Sequence, residues 1–189
     1  MAIISTPTAA EATGATARFY AEDLDDQGYV ASHTRAMSLN PEAYAAWEAL
    51  IHAIAGPMDK RRYELVTLAA ALGTRSRHCR LAHGRKSLRY FSEAELVRIA
   101  LDFHDAGLSE VEIAMMDFAQ KVGADASAMT DADSLRLRAL GLSDREIVDV
   151  ALAAAARNYF SRAVQALAVD VDVPPGLSDR LRDALVGGI

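Results

Sequence analysis

Apolar side chains recur every three or four residues through most of the chain, the spacing that places them on one face of an α-helix. Leu65, Leu68 and Leu72 form one such stripe, and Ile113 and Met116 belong to another. The strict apolar–polar alternation of a half-buried strand is nearly absent. The pattern therefore predicts an all-α protein.

Polar residues and helix breakers predict where these helices begin and end. Ser92, Ser109 and Ser143 each stand three residues before a glutamate, the spacing of a capping box. Asn40 and Pro41 are typical of an N-cap and a first helical position. Glycines that fit helix ends are Gly56, Gly107, Gly123 and Gly141. The predicted helices span residues 8–24, 29–39, 41–55, 59–73, 76–90, 93–105, 110–122, 131–140 and 144–170, with a short one at 178–186.

The longest predicted helix, 144–170, is rich in alanine. Small side chains let a neighbouring helix approach closely, so this helix is expected at the centre of the fold or at a subunit contact. We find no linker that would divide the chain, and its 189 residues suit one domain. A single domain over residues 1–189 is therefore predicted.

Charge and composition exclude several classes of protein. A net charge of -6 argues against a nucleic-acid partner, which requires a basic surface. The longest apolar stretches are about seven residues, far below the roughly 20 that cross a bilayer. The first residues lack the pattern of a secretory signal. The short apolar stretches predict no membrane partner. Because the single cysteine, Cys79, rules out an intrachain disulfide, we expect a reducing, cytoplasmic location.

The candidate chemistry gathers around Cys79. If Ser76 caps a helix, Cys79 lies in the first turn, where unpaired backbone N–H groups and the helix dipole favour an anion such as a thiolate. His83 follows four residues later on the same face and could exchange a proton with the thiol. Glu64, in the preceding helix, could orient His83. No acidic residue lies between Glu64 and Glu93, whereas six basic ones do.

Plainer interpretations stand beside this one. A lone cysteine in a helical protein is most often a small core side chain. Ser76 is consistent with a simple helix cap, and Glu64 with a position on the surface of its helix. The basic residues are consistent with a solvent-exposed face or with a contact to a second subunit. Metal binding by Glu64, His78 and His83 is not demanded by their spacing, and the chain lacks zinc-protease, phosphate-loop and nucleophile-elbow motifs. No metal or cofactor is therefore predicted.

A longer motif favours the reactive interpretation. Glu64 is followed after eleven residues by Ser76-Arg77-His78-Cys79, and after three more by His83. This arrangement resembles the alkylhydroperoxidase D-like group of the carboxymuconolactone decarboxylase superfamily, especially its peroxidase-related branch. The family pattern is Glu, eleven residues, Cys-x-x-Cys, three residues and His. The resemblance extends over about residues 29–172, with supporting segments at 38–43, 108–119, 142–147 and 158–162.

This resemblance implies an alkylhydroperoxidase D-like helical bundle that forms a homo-oligomer, commonly a trimer or hexamer. In the family the second cysteine attacks a peroxide and the first resolves the sulfenic acid as a disulfide. Carried over, Cys79 is the attacking thiol, His83 and Glu64 are a proton relay, and His78 is auxiliary. The implied partners are a small hydroperoxide and an external thiol reductant.

Ser76 departs from the family pattern because it stands where the resolving cysteine would be. Three outcomes follow from this departure. Cys79 works as a one-cysteine peroxidase with an outside thiol; or the site performs cofactor-free lyase or isomerase chemistry through His83; or it is impaired, leaving a ligand-binding or oxidant-sensing oligomer. We expect the first of these.

Overall fold

The computed structural model describes residues 4–189, and within that range it contains ten α-helices, two short 3-10 turns and no β-strand. The all-α prediction is therefore confirmed. The helices are α1 (Gly14–Gln27), α2 (Ser32–Met37), α3 (Pro41–Ala55), α4 (Lys60–Gly73), α5 (Arg77–Ser87), α6 (Glu93–Leu101), α7 (Glu110–Asp125), α8 (Asp131–Ala139), α9 (Asp144–Ala166) and α10 (Asp179–Val186).

Capping serines begin several helices where the sequence predicts them. The side chains of Ser92 and Ser109 accept hydrogen bonds from the third backbone N–H of α6 and α7, and both capping boxes are complete. Ser143 makes the same reciprocal contacts with Glu146 at the start of α9. These local hydrogen bonds explain why the helix starts agree with the prediction.

Several predicted helix limits are wrong. The first helix spans Gly14–Gln27 instead of 8–24, and α6 ends at Leu101, before a 3-10 turn at Phe103–Asp105, instead of at residue 105. Helix α7 continues through Gly123 to Asp125, because this glycine serves a close crossing of α4 and α7 rather than a helix end. A Cβ atom at Gly123 would lie 2.5 Å from the carbonyl oxygen of Ala70. Helix α9 ends at Ala166 instead of residue 170, and Ala168 takes a left-handed conformation with φ 49° just beyond it.

The chain forms two compact units. One consists of the residues up to Ala53 together with 163–172, and the other of 54–162 and 173–189. In the first unit, the rings of Phe19 and Tyr44 pack edge to face with centroids 4.9 Å apart. The single domain expected over 1–189 stays a prediction.

Helix α4 is the centre of the second unit. Every residue from Tyr63 to Ala71 is buried, which is expected only for a helix that is surrounded by others. Helices α5 and α7 pack against α4, and α10 packs against α5 and α6. None of the helices in the described part of the chain is both long and apolar enough to span a membrane.

A tight turn joins α4 to α5 and positions the candidate site. Arg75 adopts a left-handed conformation with φ 57°, at the position that glycine usually takes after a helix. Its N–H donates to the carbonyl of Leu72, and the N–H of Ser76 donates to that of Ala71, both at 2.9–3.0 Å. This pair of bonds reverses the chain and leaves Ser76 as the N-cap of α5.

Candidate active site

Ser76 and Cys79 lie together at the start of α5, as the sequence predicts. The Ser76 hydroxyl accepts a hydrogen bond from the backbone N–H of Cys79 at 3.3 Å. The Cys79 side chain is 1% exposed, and its sulfur lies 3.3 Å from the hydroxyl of Ser161 on α9. The thiol therefore occupies the first turn of a helix, where the exposed N–H groups favour negative charge.

Glu64 and His83 form a buried pair behind this turn. His83 Nδ1 and Glu64 Oε2 are 2.7 Å apart, and both side chains are less than a tenth exposed. A carboxylate inside the buried helix α4 requires such a partner. The structure thus brings together Glu64 and His83, which the sequence predicts to interact.

The structure adds Arg157, a residue of α9 that the sequence analysis missed. Its side chain is buried, with 5% exposed. One guanidinium nitrogen, Nη1, lies 4.0 Å from the sulfur of Cys79 and 3.2 Å from Nε2 of His83. The guanidinium therefore links the thiol to the imidazole. A lone arginine directly after four alanines in a buried helix was the signal available in the sequence.

Arg157 also decides the tautomer of His83. A guanidinium can only donate hydrogen bonds, so Nε2 of His83 accepts and Nδ1–H donates to Glu64. Burial lowers the pKa of His83 to about 4 despite the opposing effect of Glu64, and the positive charges of Arg157 and Lys86 act in the same direction as burial. The imidazole is therefore neutral near pH 7.

Glu64 is ionised in this arrangement. Burial alone would raise its pKa, but the contact with His83 and the positive charges of Lys86 and Arg157 lower it overall. The site thus holds a fixed negative charge on α4 and a fixed positive charge on α9, with a neutral imidazole in contact with both.

His78 lies in a different environment from the rest of the predicted site. It is buried on α5, and its ring packs near that of Phe160, with centroids 6.0 Å apart. The hydrogen bonds of the Cys79 sulfur are to Ser161 and Arg157. An auxiliary role for His78 stays a prediction.

The basic residues around Cys79 do not form one solvated face. Arg80 is 1% exposed and donates to backbone carbonyls of Leu68, Ala100 and Leu185, which belong to α4, α6 and α10. Burial lowers its pKa to about 10, which leaves it charged near pH 7. This arginine therefore ties three helices to α5.

The donor set suits an anion better than a metal ion. Both nitrogens of His83 are already engaged, one with Glu64 and one with Arg157. A cation bound by Glu64 and His83 would have to displace a guanidinium or sit beside it, which like charges disfavour.

The fold is shared with several solved structures, whereas no protein-family model and no curated protein matches the sequence. One is the alkylhydroperoxidase AhpD core of an uncharacterized peroxidase-related protein from Ralstonia eutropha, at 22% identity and a TM-score of 0.78, covering 98% of this chain and 96% of that one. An uncharacterized peroxidase-related protein from Silicibacter sp. has the same identity and TM-score, covering 90% of this chain and 92% of that one.

A third solved structure is the debrominase Bmp8, at 13% identity and a TM-score of 0.76, covering 97% of this chain and 96% of that one. A variant of that debrominase in which a cysteine is replaced by alanine was solved with 2,3,4-tribromopyrrole. This chain therefore has the fold of the alkylhydroperoxidase D-like proteins. The resemblance seen in the sequence is confirmed at the level of the fold.

Proposed function

We propose that this protein reduces hydroperoxides through Cys79. The observation that carries the proposal is the placement of the sulfur: it is buried at the start of α5, beside the guanidinium of Arg157 and the hydroxyl of Ser161. A cation and a helix N-terminus both favour the thiolate, which is the nucleophilic form of cysteine. The names of two solved structures with this fold, both peroxidase-related, agree with the proposal.

The reaction follows the chemistry of thiols with peroxides. The sulfur attacks one peroxide oxygen, an S–O bond forms, the O–O bond breaks, and the peroxide is reduced to an alcohol or water. Ser76 cannot resolve the oxidised sulfur, and the chain has no second cysteine. Two equivalents of an external thiol therefore complete the cycle, giving a disulfide, water and the restored Cys79 thiol.

Burial limits the substrate to small molecules. Cys79, Ser161 and His83 are each no more than 5% exposed, so a hydroperoxide that reaches the sulfur is hydrogen peroxide or a small organic hydroperoxide. Glu64 and His83 stand at the positions of the proton relay that the family resemblance implies, Ser76 maintains the helix start, and His78 is auxiliary. The protein acts as a cytoplasmic homo-oligomer.

The proposal is tested by trapping the sulfenic acid. Purified protein is treated with hydrogen peroxide and dimedone, and the peptide that contains Cys79 is analysed by mass spectrometry. We expect Cys79 of the wild type to gain one oxygen rapidly, detected directly or as the dimedone adduct, and Cys79→Ser to gain neither. Oxidation of Cys79 no faster than that of free cysteine under the same conditions would contradict the proposal.

Reductive debromination is a second candidate, favoured by the likeness to a debrominase over nearly the whole chain. A thiolate that attacks bromine forms an S–Br bond and leaves a carbanion, which takes a proton. An added thiol then displaces bromide from sulfur, and a second thiol reduces the resulting mixed disulfide and restores Cys79. Release of bromide from a brominated pyrrole, with dithiothreitol and without peroxide, would support this activity. A lyase that uses His83 as a base is less well supported, because Nε2 accepts a hydrogen bond from Arg157.

A further inference from the structure

We propose that Arg157, rather than the His83–Glu64 pair, balances the charge of Cys79 throughout the reaction, so that the oxidised product is a sulfenate anion held by the guanidinium. This inference rests on the proposed peroxide chemistry and adds the residue that governs it. It also specifies the oxidised state in which the protein rests.

The first argument is the position of the charge. Nη1 of Arg157 lies 4.0 Å from the sulfur, and the side chain is almost fully buried. Inside a protein such a pair is screened far less than at the surface. A guanidinium acts in proteins as a cation and as a hydrogen-bond donor only. It can therefore compensate one negative charge, on sulfur or on an oxygen bonded to sulfur.

The second argument is that His83 is poorly placed to accept the thiol proton. Its Nδ1–H is donated to Glu64, and the lone pair of Nε2 accepts from Arg157. Protonation of Nε2 would break that bond and set a second cation beside the guanidinium. The low pKa of His83, about 4, agrees with this argument. His83 and Glu64 are therefore positioning residues that hold Arg157 towards the sulfur.

The third argument is that the reaction balances without a net gain or loss of a proton by any side chain. The thiolate attacks the hydroxyl oxygen of the hydroperoxide, an S–O bond forms and the O–O bond breaks. The proton of that hydroxyl moves to the departing oxygen, so thiolate and ROOH give sulfenate and ROH. Sulfur loses two electrons and the peroxide gains them. One negative charge is present before and after, and the Ser161 hydroxyl, 3.3 Å from the sulfur, can carry the proton.

The oxidised state should persist because of this charge. A sulfenate anion is a poorer electrophile than a sulfenic acid, and the chain offers no thiol to attack it. Other charged or titratable groups near the pair are Glu64 and Tyr63 on α4, and His83 and Lys86 on α5. The carboxylate of Glu64 disfavours a negative charge on Cys79, and the ammonium group of Lys86 compensates for this effect. Arg157 is therefore the group that stabilises the negative charge on Cys79.

The test compares Arg157→Gln, which removes the charge, with Arg157→Lys, which keeps it. Arg162→Gln is the matched control, since it removes one arginine charge from an exposed position of the same helix. Thiolate formation is followed without peroxide by absorbance at 240 nm against pH. The rate of Cys79 oxidation by hydrogen peroxide is then measured over the same pH range. Circular dichroism and thermal unfolding report folding.

We expect Arg157→Gln to move thiolate formation to higher pH and to slow oxidation about 100-fold at pH 7, as loss of one buried electrostatic partner commonly does. The rate should recover at alkaline pH, and dimedone-reactive sulfenate should decay faster than in the wild type. The oxidation rate of Arg157→Lys at pH 7 should stay within about 10-fold of the wild-type rate, because the charge is kept. The rate of Arg162→Gln should equal that of the wild type.

The possible failures are distinguishable. If thiolate formation in a folded Arg157→Gln protein follows that of the wild type, the inference is wrong whether or not peroxide reacts. Equal loss of rate at all pH values in a folded Arg157→Gln protein would also overturn it. If the wild type does not react with peroxide but its thiolate titration depends on Arg157, the proposed function fails and the charge pairing stands. Should Arg157→Gln not fold, Arg157→Lys tests the inference at alkaline pH, where lysine loses its charge and arginine keeps it. Oxidation of Cys79 in Arg157→Lys should then fall below the wild-type rate, and an unchanged pH profile would overturn the inference.

Discussion

Ser76 holds the start of α5 through a hydroxyl that accepts the backbone N–H of Cys79. A cysteine side chain at the same position would lie at the spacing of Cys-x-x-Cys motifs, which form disulfides at helix starts. The serine therefore removes a redox partner while it keeps the cap.

Ser76→Cys should restore the missing partner. We expect hydrogen peroxide to produce an intrachain disulfide in this variant, so that the titratable thiols of the denatured protein fall from two to none. The weaker cap should cost about 1 kcal/mol of stability. Ser92→Cys is the control, since it also replaces a capping serine, that of α6, and should form no bond with Cys79. Two free thiols after treatment of Ser76→Cys would contradict the geometry proposed for the site.

The buried His83 should make stability depend on pH. Its folded pKa of about 4 lies below the ordinary value of 6.5, so its contribution is complete above pH 6.5 and is lost as the pH falls towards 4. Glu64, whose pKa is also lowered, acts in the same direction at lower pH.

Urea unfolding at several pH values measures this loss. We expect the wild type to lose up to about 3 kcal/mol from His83 over the interval. His83→Gln should show a flatter dependence, whereas His52→Gln, at an exposed position, should follow the wild type. An unchanged acid dependence in His83→Gln would show that this histidine is not buried in its neutral form.

Sequence spacing located most of the site for a physical reason. Ser76, Cys79 and His83 belong to one helix, where separations of three and four residues fix a shared face. Arg157 escaped prediction because it lies 74 residues beyond His83 in the sequence. Only the packing of α9 shows that a charged side chain in an alanine-rich helix points towards a thiol.

At the scale of elements, the crossing of α4 and α7 depends on two glycines. A Cβ atom at Gly73 would lie 2.2 Å from the carbonyl oxygen of Gln120, and one at Gly123 would meet Ala70. Both contacts are with backbone, so neither can be relieved by turning a side chain. This crossing fixes the helix that carries Glu64.

Gly73→Ala should therefore lower the free energy of unfolding by about 3 kcal/mol or more. Gly107→Ala is the control, because its Cβ would meet no atom within 4 Å and only its φ of 78° is unfavourable. That strain costs about 1–2 kcal/mol. Equal losses in the two variants, measured by chemical unfolding, would show that the crossing is looser than described.

The same crossing explains where sequence-based helix limits succeeded and failed. Helix starts depend on local side-chain caps, so Ser92 and Ser109 were identified correctly. Gly123 carries the same local signal as a helix end, but close packing against another helix is a tertiary requirement. Local sequence alone does not distinguish a glycine that allows two helices to pack closely from a glycine that allows the chain to turn.

At the scale of the whole molecule, α9 presents an apolar outer face. Val148, Leu152 and Tyr159 are 50%, 46% and 52% exposed, and their spacing places them along one side of the helix. The opposite side carries Arg157 and Ser161. A second copy of the chain covering this face would agree with the homo-oligomer proposed from the family resemblance.

Leu152→Lys should weaken that association. Light scattering after size exclusion should give the wild type three or six times the 20.3 kDa mass of one chain, and the variant a smaller mass. Leu135→Lys, a comparable change at an exposed leucine of α8, should keep the wild-type mass. A wild type that elutes as a single chain would refute the assembly.

The lone, enclosed sulfur of Cys79 has a consequence for how the molecule handles oxidation. Each chain can store one oxidising event and no more, and two folded chains cannot be joined through a side chain that is 1% exposed. In the proposed reaction the oxidation state of Cys79 therefore records a single contact with peroxide. Only a thiol small enough to reach the buried sulfur can reduce it again.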